Sequence, residues 1–260
     1  MMKEPKILIL DIETAPIIAY VWKIWEENIG LEQIKSDWHL LSFAAKWHGD
    51  PANKIIYMDQ RNAKSIEDDR PLLKKLWELI DSADILLTHN GIKFDIKKIK
   101  SRFILNGFKP PANIKHIDTY KLAKKHFGFT SGKLEYLTDK LCTKYKKTKH
   151  KKFPGFVLWK ECLAGNKDAW KEMEQYNKYD ILSLEELYNK ISPWDTSFNV
   201  NLYRDDLEVV CNCGSNDLQQ RGFAFTKIGK YQRYQCKNCG SWTRGRYNTL
   251  FAEKRQTLRI

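Results

Sequence analysis

The sequence has no hydrophobic run long enough to cross a membrane, and its apolar stretch Ile7–Leu10 is too short for the core of a signal peptide. Internal repeats and low-complexity tracts are also missing. Hydrophobic residues make up 42% of the chain and aromatic residues 13%, a content that excludes general disorder. We therefore expect a globular protein in the cytoplasm, with no membrane partner.

Acidic residues are scarce relative to basic ones. The 260 residues include 32 Asp and Glu against 45 Lys and Arg, which leaves a net charge of +13. This excess favours a polyanionic partner, nucleic acid before a membrane surface, although charge alone fits a merely soluble basic protein equally well. Six lysines and no acid fall between Lys144 and Lys152, a segment that is either a solvated loop or a nucleic-acid contact.

Cysteine is limited to six residues, and no histidine follows position 150. In the cytosol, cysteines indicate metal binding or free thiols rather than disulfides. Cys236 and Cys239 have the spacing of a zinc knuckle and precede a glycine that suits a tight turn. Cys211 and Cys213 supply the partner half, with one intervening residue where two are usual. The four predict one structural Zn²⁺, and the shortened spacing leaves open whether Cys211 is a ligand.

The C-terminal segment, residues 209–260, resembles the zinc ribbons of transposases and other nucleic-acid proteins. It carries ten Lys and Arg against Asp217 and Glu253, and this difference of ten and two leaves a net charge of +8. Aromatic residues lie between the basic ones, which suits a surface for nucleic acid, and the same rings can form the core of a small ribbon. We expect this segment to hold nucleic acid or to recruit a replication or repair protein.

Hydrophobic patterning divides the rest of the chain into strands and helices. Five strands are predicted, one from Lys6 into the acidic residues that follow, and the others at Leu40–Trp47, Lys54–Met58, Ile85–Leu87 and Ile114–Asp118. Helices are predicted from Asp68, from Phe94 and through most of Thr119–Tyr188. The order of these elements indicates a mixed five-stranded sheet covered by helices. The helical pattern stops near Ser192, where we place a domain boundary.

Acidic residues lie at the ends of the predicted strands or just after them. Asp11 and Glu13 come after the first apolar run, and the alternation of side chains along a strand points them the same way, roughly 7 Å apart at the backbone. Two carboxylates on one face can share divalent cations held about 4 Å apart, as in phosphodiester hydrolysis. Asp95 follows the turn after the fourth strand, where parallel sheets build their sites, or it is an ordinary acid in the first turn of a helix.

The helix predicted from Asp168 to Tyr188 has an apolar stripe that faces the core. Tyr176 and Asp180 lie four residues apart, on or beside that stripe. A carboxylate aimed at the core is costly unless it is paired or bound to a metal, so Asp180 is a salt-bridged acid or a metal ligand. Asp118, at another strand end, is interpreted as a structural residue or as one that supports a metal ligand.

Three motifs together resemble the DnaQ-like 3′–5′ exonucleases, the DEDD group of the ribonuclease H-like superfamily. That family carries D-x-E, N-x3-(F/Y)-D and Y-x3-D motifs. They stand here as Asp11-Ile12-Glu13, Asn90 to Phe94-Asp95, and Tyr176 to Asp180. The tyrosine indicates the DEDDy subtype. The resemblance covers roughly residues 5–192 and is greatest to the exonuclease domain of family B DNA polymerases.

The resemblance implies a role for each matched residue. Asp11, Glu13 and Asp180 would hold the metal that activates a water for attack on phosphorus. Asp11 would bridge to a second metal, which Asp95 holds directly or through water. The Tyr176 hydroxyl would orient the attacking water. Two Mg²⁺ or Mn²⁺ ions suit such an all-oxygen site.

The sequence therefore predicts an α/β nuclease domain of ribonuclease H-like fold in residues 1–195, a linker in 196–208, and a zinc ribbon with a basic tail in 209–260. The expected reaction is hydrolysis of single-stranded DNA or frayed 3′ ends to nucleoside 5′-monophosphates. An exoribonuclease, a structure-dependent endonuclease on the same fold, and a nucleic-acid-binding adaptor without turnover remain as alternatives. Nothing in the sequence reveals a contact to a 2′-hydroxyl, so DNA and RNA are not distinguished.

Overall fold

The computed structural model describes residues 4–25, 27–146, 152–205 and 207–259. The chain divides into two compact units, Lys6–Tyr188 and a second one that comprises Met1–Pro5 and Asn189–Ile260. Of the lysine-rich stretch, residues 147–151 lie outside the described residues. Within the described ranges, no helix combines the length and the apolarity needed to cross a bilayer.

The first unit is built on a mixed sheet. Its strands are β1 (Ile7–Thr14), β2 (Ile18–Ala19), β3 (Ile34–Ser36), β4 (Leu40–Trp47), β5 (Ile56–Asp59), β6 (Ile85–Thr88) and β7 (Lys115–Asp118). Five of them form one sheet in the order β5-β4-β1-β6-β7, in which β4 is antiparallel to β1 and β5, whereas β6 and β7 run parallel to β1. The predicted mixed five-stranded sheet is confirmed.

Helices cover both faces of this sheet. They are α1 (Arg70–Asp81), α2 (Asp95–Leu105), α3 (Thr119–His126), α4 (Leu134–Leu141), α5 (Val157–Leu163) and α6 (Lys167–Ile191). Leu8, Leu10 and Ile12 of β1 join a core cluster with α1 and α2. Because side chains alternate along a strand, Asp11 and Glu13 lie on the opposite face, where α5 and α6 form a second cluster.

Two details differ from the sequence pattern. The third strand of the sheet begins at Ile56 rather than Lys54, because Ala52–Lys54 forms a 3₁₀ turn directly after Pro51. The hairpin of β2 and β3 was not expected, since strands of two and three residues are too short to show an alternating pattern.

Two ion pairs connect helices to strand β4, one of them through a backbone hydrogen bond. The fully buried Asp69 accepts from Arg102 Nε of α2 at 2.7 Å and from the Leu40 amide of β4 at 2.9 Å. The fully buried Lys46 of β4 lies 2.8 Å from Glu185 of α6. Loss of one partner would leave a buried charge, so these pairs hold α2 and α6 firmly in place. These are the two helices that carry candidate site residues.

The second unit contains an antiparallel sheet in the order β10-β9-β8, followed by a short helix. Its elements are β8 (Leu218–Thr226), β9 (Gly229–Cys236), β10 (Trp242–Asn248) and α7 (Ala252–Gln256). The segment 196–208, expected to be a linker, is hydrogen-bonded to the start of this unit. The Asn201 side chain accepts from the Val210 amide at 3.0 Å, and the Val200 amide donates to Asn212 Oδ1 at 2.9 Å.

Candidate active site

Asp11 and Glu13 lie on β1, the middle strand of the sheet, and both are half-buried. Helix α6 reaches this strand through Asn177, whose Nδ2 donates to Asp11 Oδ2 at 2.6 Å. Asn177 is fully buried, and its Oδ1 accepts from Ser42 Oγ of β4 at 3.3 Å. The side chain of Asp11 is therefore positioned by a hydrogen-bonded chain that runs across β4, α6 and β1.

Nothing in the sequence pattern singled out Asn177 or Ser42. The available signal was a polar residue on the apolar stripe of this helix, four residues from both Met173 and Ile181. Buried polar side chains are normally hydrogen-bonded, so such a residue indicates a polar partner in the core. The pattern does not say that the partner is Asp11, which lies 166 residues earlier in the chain.

Tyr176 and Asp180 lie one turn apart on α6. Asp180 is 3% exposed and lies on the stripe of α6 that also buries Met173 and Leu184, so its carboxylate faces the interior. Tyr176 is half-buried, and its ring meets the edge of the Trp159 ring of α5 at a centroid distance of 6.4 Å. Helix α6 thus presents an acid and a phenol to the same side of the sheet as Asp11.

Asp95 is brought to β1 by a tight turn after β6. Asn90 adopts a left-handed conformation there, with φ of 62°, and a Cβ on the following Gly91 would lie 2.3 Å from Thr88 Oγ1. Asp95 then begins α2, and its Oδ1 accepts from the Ile12 amide at 3.3 Å. The second acidic motif therefore contacts the residue that separates Asp11 from Glu13.

Asp95 is a buried carboxylate with a raised pKa. It is 5% exposed, and this burial, more than the nearby charge of Asp118, raises the pKa of Asp95 to about 6. The hydrogen bond that the Ile12 amide donates acts in the opposite direction and lowers the pKa of Asp95. A cation beside this group would favour its ionised form.

Asp118 has the structural role expected for it. Its Oδ1 accepts from the amides of Asn90 at 2.8 Å and Tyr120 at 3.0 Å, and its Oδ2 accepts from Ile92 at 3.2 Å. One carboxylate thus caps α3 and holds the turn that precedes Asp95. His89 supports the same turn, since its ring bonds to Thr119 Oγ1 at 2.9 Å.

A cleft of about 650 Å³ adjoins the end of β1. The residues that follow Glu13, from Thr14 to Ile17, form one wall, and Trp38, Phe156 and Trp159 supply aromatic surface. Lys98 of α2 also lines the cleft, with its Nζ 3.6 Å from the centre of the Trp38 ring. The cleft therefore combines rings with a positive charge. Trp22 and Trp25 are 95% and 80% exposed and lie outside the core.

Asp11 and Glu13 lie on the last half of β1 and Asp95 is hydrogen-bonded to Ile12 between them, although the oxygens of the candidate acids are not closely clustered. In the part of the chain that the structure describes, the cysteine quartet is the one group of three or more potential ligands whose ligand atoms all lie within 4.8 Å of one another. The acids nevertheless offer only oxygen donors, which Mg²⁺ and Mn²⁺ prefer. Together with the raised pKa of Asp95, this donor set fits a divalent metal.

The cysteine quartet comprises Cys211, Cys213, Cys236 and Cys239. Cys211 Sγ lies 3.5 Å from Cys239 Sγ, and Cys213 Sγ lies 3.7 Å from Cys236 Sγ. In a tetrahedral site with Zn–S bonds of about 2.3 Å, the sulfurs lie about 3.8 Å apart. The quartet therefore has the dimensions of a zinc site, with Cys211 included.

A tight turn after Cys211 brings the two cysteines of the short first knuckle to the other pair. The Cys211 amide donates to the Ser215 carbonyl at 2.8 Å, and Gly214, with φ of 84°, closes the loop back onto Cys211. Asn212, between the two cysteines, donates to the Phe198 carbonyl at 2.7 Å. These contacts compensate for Val210, which stands where a first cysteine is usual.

The thiols of the quartet differ in acidity. Burial raises the pKa of Cys211 and raises the pKa of Cys239 to about 11. Burial acts in the same direction on Cys236, but amide donors from Cys239 and Asn238 outweigh it and lower the pKa of Cys236 to about 7. Cys236 thus ionises more readily than Cys211 and Cys239, and a divalent cation would favour the thiolate form of those two.

Comparison with known proteins identifies the fold. The sequence model of the RNase_H superfamily matches residues 27–192. The chain belongs to the RNase H superfamily. Among solved structures, it is similar to the family B DNA polymerase from the hyperthermophilic archaeon Pyrobaculum calidifontis, with a TM-score of 0.52 and 12% sequence identity. No curated protein sequence matches the chain significantly.

The RNase H-like fold predicted from the sequence is thereby confirmed. The structural match covers 74% of this chain and 25% of the polymerase, so the chain spans about a quarter of that protein's length. The superfamily match contains Asp95, Tyr176 and Asp180, whereas Asp11 and Glu13 precede it. RNase H superfamily proteins are typically nucleases that use divalent metals.

Proposed function

We propose that this RNase H superfamily protein is a metal-dependent 3′–5′ exonuclease of the DEDDy type, acting on single-stranded DNA or frayed 3′ ends. The main support is the hydrogen bond between the Ile12 amide and the Asp95 carboxylate, which joins two motifs 83 residues apart. Asn177 links the third motif to Asp11 in the same way. The order of the motifs and the likeness to a family B DNA polymerase support the same class.

Asp11, Glu13, Asp95 and Asp180 would hold two Mg²⁺ or Mn²⁺ ions. Bound there, such ions supply a water-derived nucleophile at neutral pH and stabilise the charge on the leaving 3′ oxygen. The protein's own contribution is to keep the four carboxylates on three separate elements in place. Asn177 restrains Asp11 and the Ile12 amide restrains Asp95, so neither acid depends on a metal for its position.

The remaining side chains would bind and orient the strand. The Tyr176 hydroxyl would orient the attacking water by a hydrogen bond, with its ring held against Trp159. The aromatic walls of the cleft would stack on an unpaired terminal base, and Lys98 would attract the phosphate backbone. Because stacking requires an unpaired base, single strands and frayed ends are the expected substrates.

We further propose that residues 1–195 form the nuclease domain, that 196–208 connect it to the ribbon, and that 209–260 form the ribbon with its basic tail. Cys211, Cys213, Cys236 and Cys239 would hold one structural Zn²⁺, as their mutual distances support. The ribbon would hold the nucleic acid or a replication or repair protein.

The test is to incubate the protein with 5′-labelled and 3′-labelled DNA and RNA strands plus Mg²⁺ or Mn²⁺. We expect 5′-labelled single-stranded DNA to shorten stepwise, and 3′-labelled DNA to release a labelled mononucleotide first. Asp180→Asn should lose nearly all hydrolysis and Tyr176→Phe only part of it, because the latter removes a single hydroxyl. Asp139→Asn, which neutralises an exposed acid of α4, is the matched control.

Each other outcome identifies a different function. Preference for RNA would indicate an exoribonuclease, and internal cuts would indicate an endonuclease. Binding without cleavage would indicate an adaptor. A wild-type rate for Asp180→Asn would reject the third motif.

A further inference from the structure

The sheet of the second unit has one face that collects arginine side chains. Arg244 of β10 lies directly opposite Arg233 of β9, and Trp242 lies opposite Gln235 two positions away. Arg221 of β8 reaches the same Gln235, since its Nη1 donates to Gln235 Oε1 at 2.6 Å. Each of the three strands therefore contributes one arginine to this face.

Two aromatic rings contact these guanidinium groups. The centre of the Trp242 ring lies 4.6 Å from Arg233 Cζ and 5.6 Å from Arg221 Cζ. The centre of the Tyr231 ring lies 4.2 Å from Arg244 Cζ. Such cation–π contacts keep flat guanidinium groups ordered at the surface. We call these five side chains the arginine face.

A bulge in β8 places Arg221 on this face. The register between β8 and β9 shifts between Gln220 and Phe223, so Arg221 and Gly222 together stand opposite Arg233. Gly222 has φ of 66°, which glycine adopts without strain, and Arg233 Nε donates to the Arg221 carbonyl at 3.0 Å. A bulge re-aims the side chains beside it, and here it adds a third arginine to the group.

The positive charge of the arginine face has little to balance it. Residues 209–260 hold ten Lys and Arg but two acids, of which Asp217 lies 3.4 Å from Lys237. Arg233 and Arg244 form a cross-strand pair of like charge, which opposes folding. Within the described residues of this unit, the arginine face forms no ion pair with a carboxylate. Such a surface is suited to an anionic ligand that supplies the missing charge.

We propose that the arginine face binds the phosphate backbone and unpaired bases of single-stranded nucleic acid. A guanidinium group is a planar fork that can donate two hydrogen bonds to one phosphate. The ring of Trp242 is 39% exposed between two of the arginines, where a base can stack on it. Bases in a duplex cannot reach such a ring. The inference rests on the proposed function, because the strand held here is the substrate of the nuclease.

The test measures binding of the full chain to fluorescent oligothymidylate by anisotropy over a range of salt concentrations. Mg²⁺ and Mn²⁺ are left out so that the strand stays intact. Each single-strand phosphate contact contributes about 0.7 to the slope of log affinity against log salt. The triple variant R221Q/R233Q/R244Q should therefore lower that slope by about 2. Trp242→Leu should weaken binding by about tenfold without changing the slope, because stacking is not ionic.

A second triple variant, K227Q/K230Q/K254Q, removes the same charge from the same segment and serves as the matched control. Lys230 packs on Phe223, with its Nζ 4.0 Å from the ring centre and away from the arginine face. This control should keep the wild-type slope. Elemental analysis should find the same zinc content in every variant, which excludes unfolding as the cause of lost binding.

Equal loss of slope in the two triple variants would overturn the inference, because net charge alone would then explain binding. Unchanged binding in the arginine variant would also overturn it and leave the ribbon with a protein partner. Equal affinity for duplex and single strand would reject the assignment to single strands. The same measurement with oligouridylate shows whether the arginine face prefers RNA or DNA. Hydrolysis is measured separately. If the arginine face binds the strand but no cleavage occurs, the proposed nuclease activity is refuted and the inferred binding site is supported.

Discussion

Replacing Asp95 with asparagine should make the protein more stable while it abolishes hydrolysis. Asp95 is 5% exposed, and its pKa of about 6 lies well above the ordinary value of 3.8. The folded chain therefore binds a proton more tightly than the unfolded chain does. As the pH rises from about 4 to about 6, the unfolded chain loses this proton first and the wild-type protein loses stability. Above pH 6, the loss is complete.

The size of the effect follows from the two pKa values. Their difference corresponds to about 3 kcal/mol of unfolding free energy, at 1.36 kcal/mol for each unit. Asparagine cannot ionise, and its Oδ1 can still accept the hydrogen bond from the Ile12 amide. Asp95→Asn should thus gain about 3 kcal/mol over wild type above pH 6 and nothing from this source below pH 4. For a unit of this size, the gain corresponds to roughly 6–12 °C in Tm.

The assay is thermal unfolding of both proteins by circular dichroism between pH 4 and pH 8, without added Mg²⁺ or Mn²⁺. Comparison at each pH cancels the shared groups that do not interact with Asp95. Addition of Mg²⁺ should then raise the Tm of wild type more than that of the variant, because the variant lacks one of the proposed metal ligands.

Asp118→Asn is the matched control and should have the opposite sign. Asp118 accepts from backbone amides with both oxygens, so an amide NH₂ group in either position faces a donor. We expect a loss of about 1–3 kcal/mol. The reasoning about Asp95 is refuted if Asp95→Asn is no more stable than wild type at pH 8, or if their difference is the same from pH 4 to pH 8.

Three further predictions concern other parts of the molecule. Asn177→Ala should lower kcat/KM by roughly 10- to 100-fold while the fold persists, because the acid of the first motif loses a 2.6 Å donor; an unchanged rate in steady-state assays would exclude the positioning role. The purified protein should contain about one Zn²⁺ per chain, and Cys236→Ser should release it. Cys211→Ser should also release zinc, since its sulfur lies within 4.8 Å of the other three; full retention by elemental analysis would remove Cys211 from the site. A chain that ends at Pro193 should still trim short strands at low salt but bind longer ones with a shallower salt dependence, and an unchanged slope would mean that the ribbon does not touch the strand.

Local periodicity made much of the fold predictable. The apolar run before Asp11 predicted a buried strand, and the stripe on α6 predicted a long helix whose Tyr176 and Asp180 share a side. These patterns depend on neighbours within a few residues, so they can be recognised without any knowledge of tertiary structure. The strands β2 and β3 escaped prediction because they are shorter than the period that would reveal them.

The cysteine quartet shows where spacing ceases to be informative. Cys236 and Cys239 were recognisable from two intervening residues and a glycine. Cys211 was doubtful because its spacing is short, yet the turn at Gly214 and the contacts of Asn212 bring its sulfur to 3.5 Å from Cys239 Sγ. The number of residues between two cysteines predicts the distance between their sulfurs only when the turn that joins them has the usual conformation.

The sequence by itself predicted which acids and which tyrosine could do the chemistry, in which order they come, and which element carries each of them. Tertiary structure alone decided that the Ile12 amide meets Asp95, 83 residues away, and that Asn177 meets Asp11, 166 residues away. It also decided that Asp95 is buried, and burial sets its pKa. The physical reason is that hydrogen-bond partners and desolvation depend on which segments pack together in space. The sequence pattern records only the spacing of apolar and polar residues within each segment.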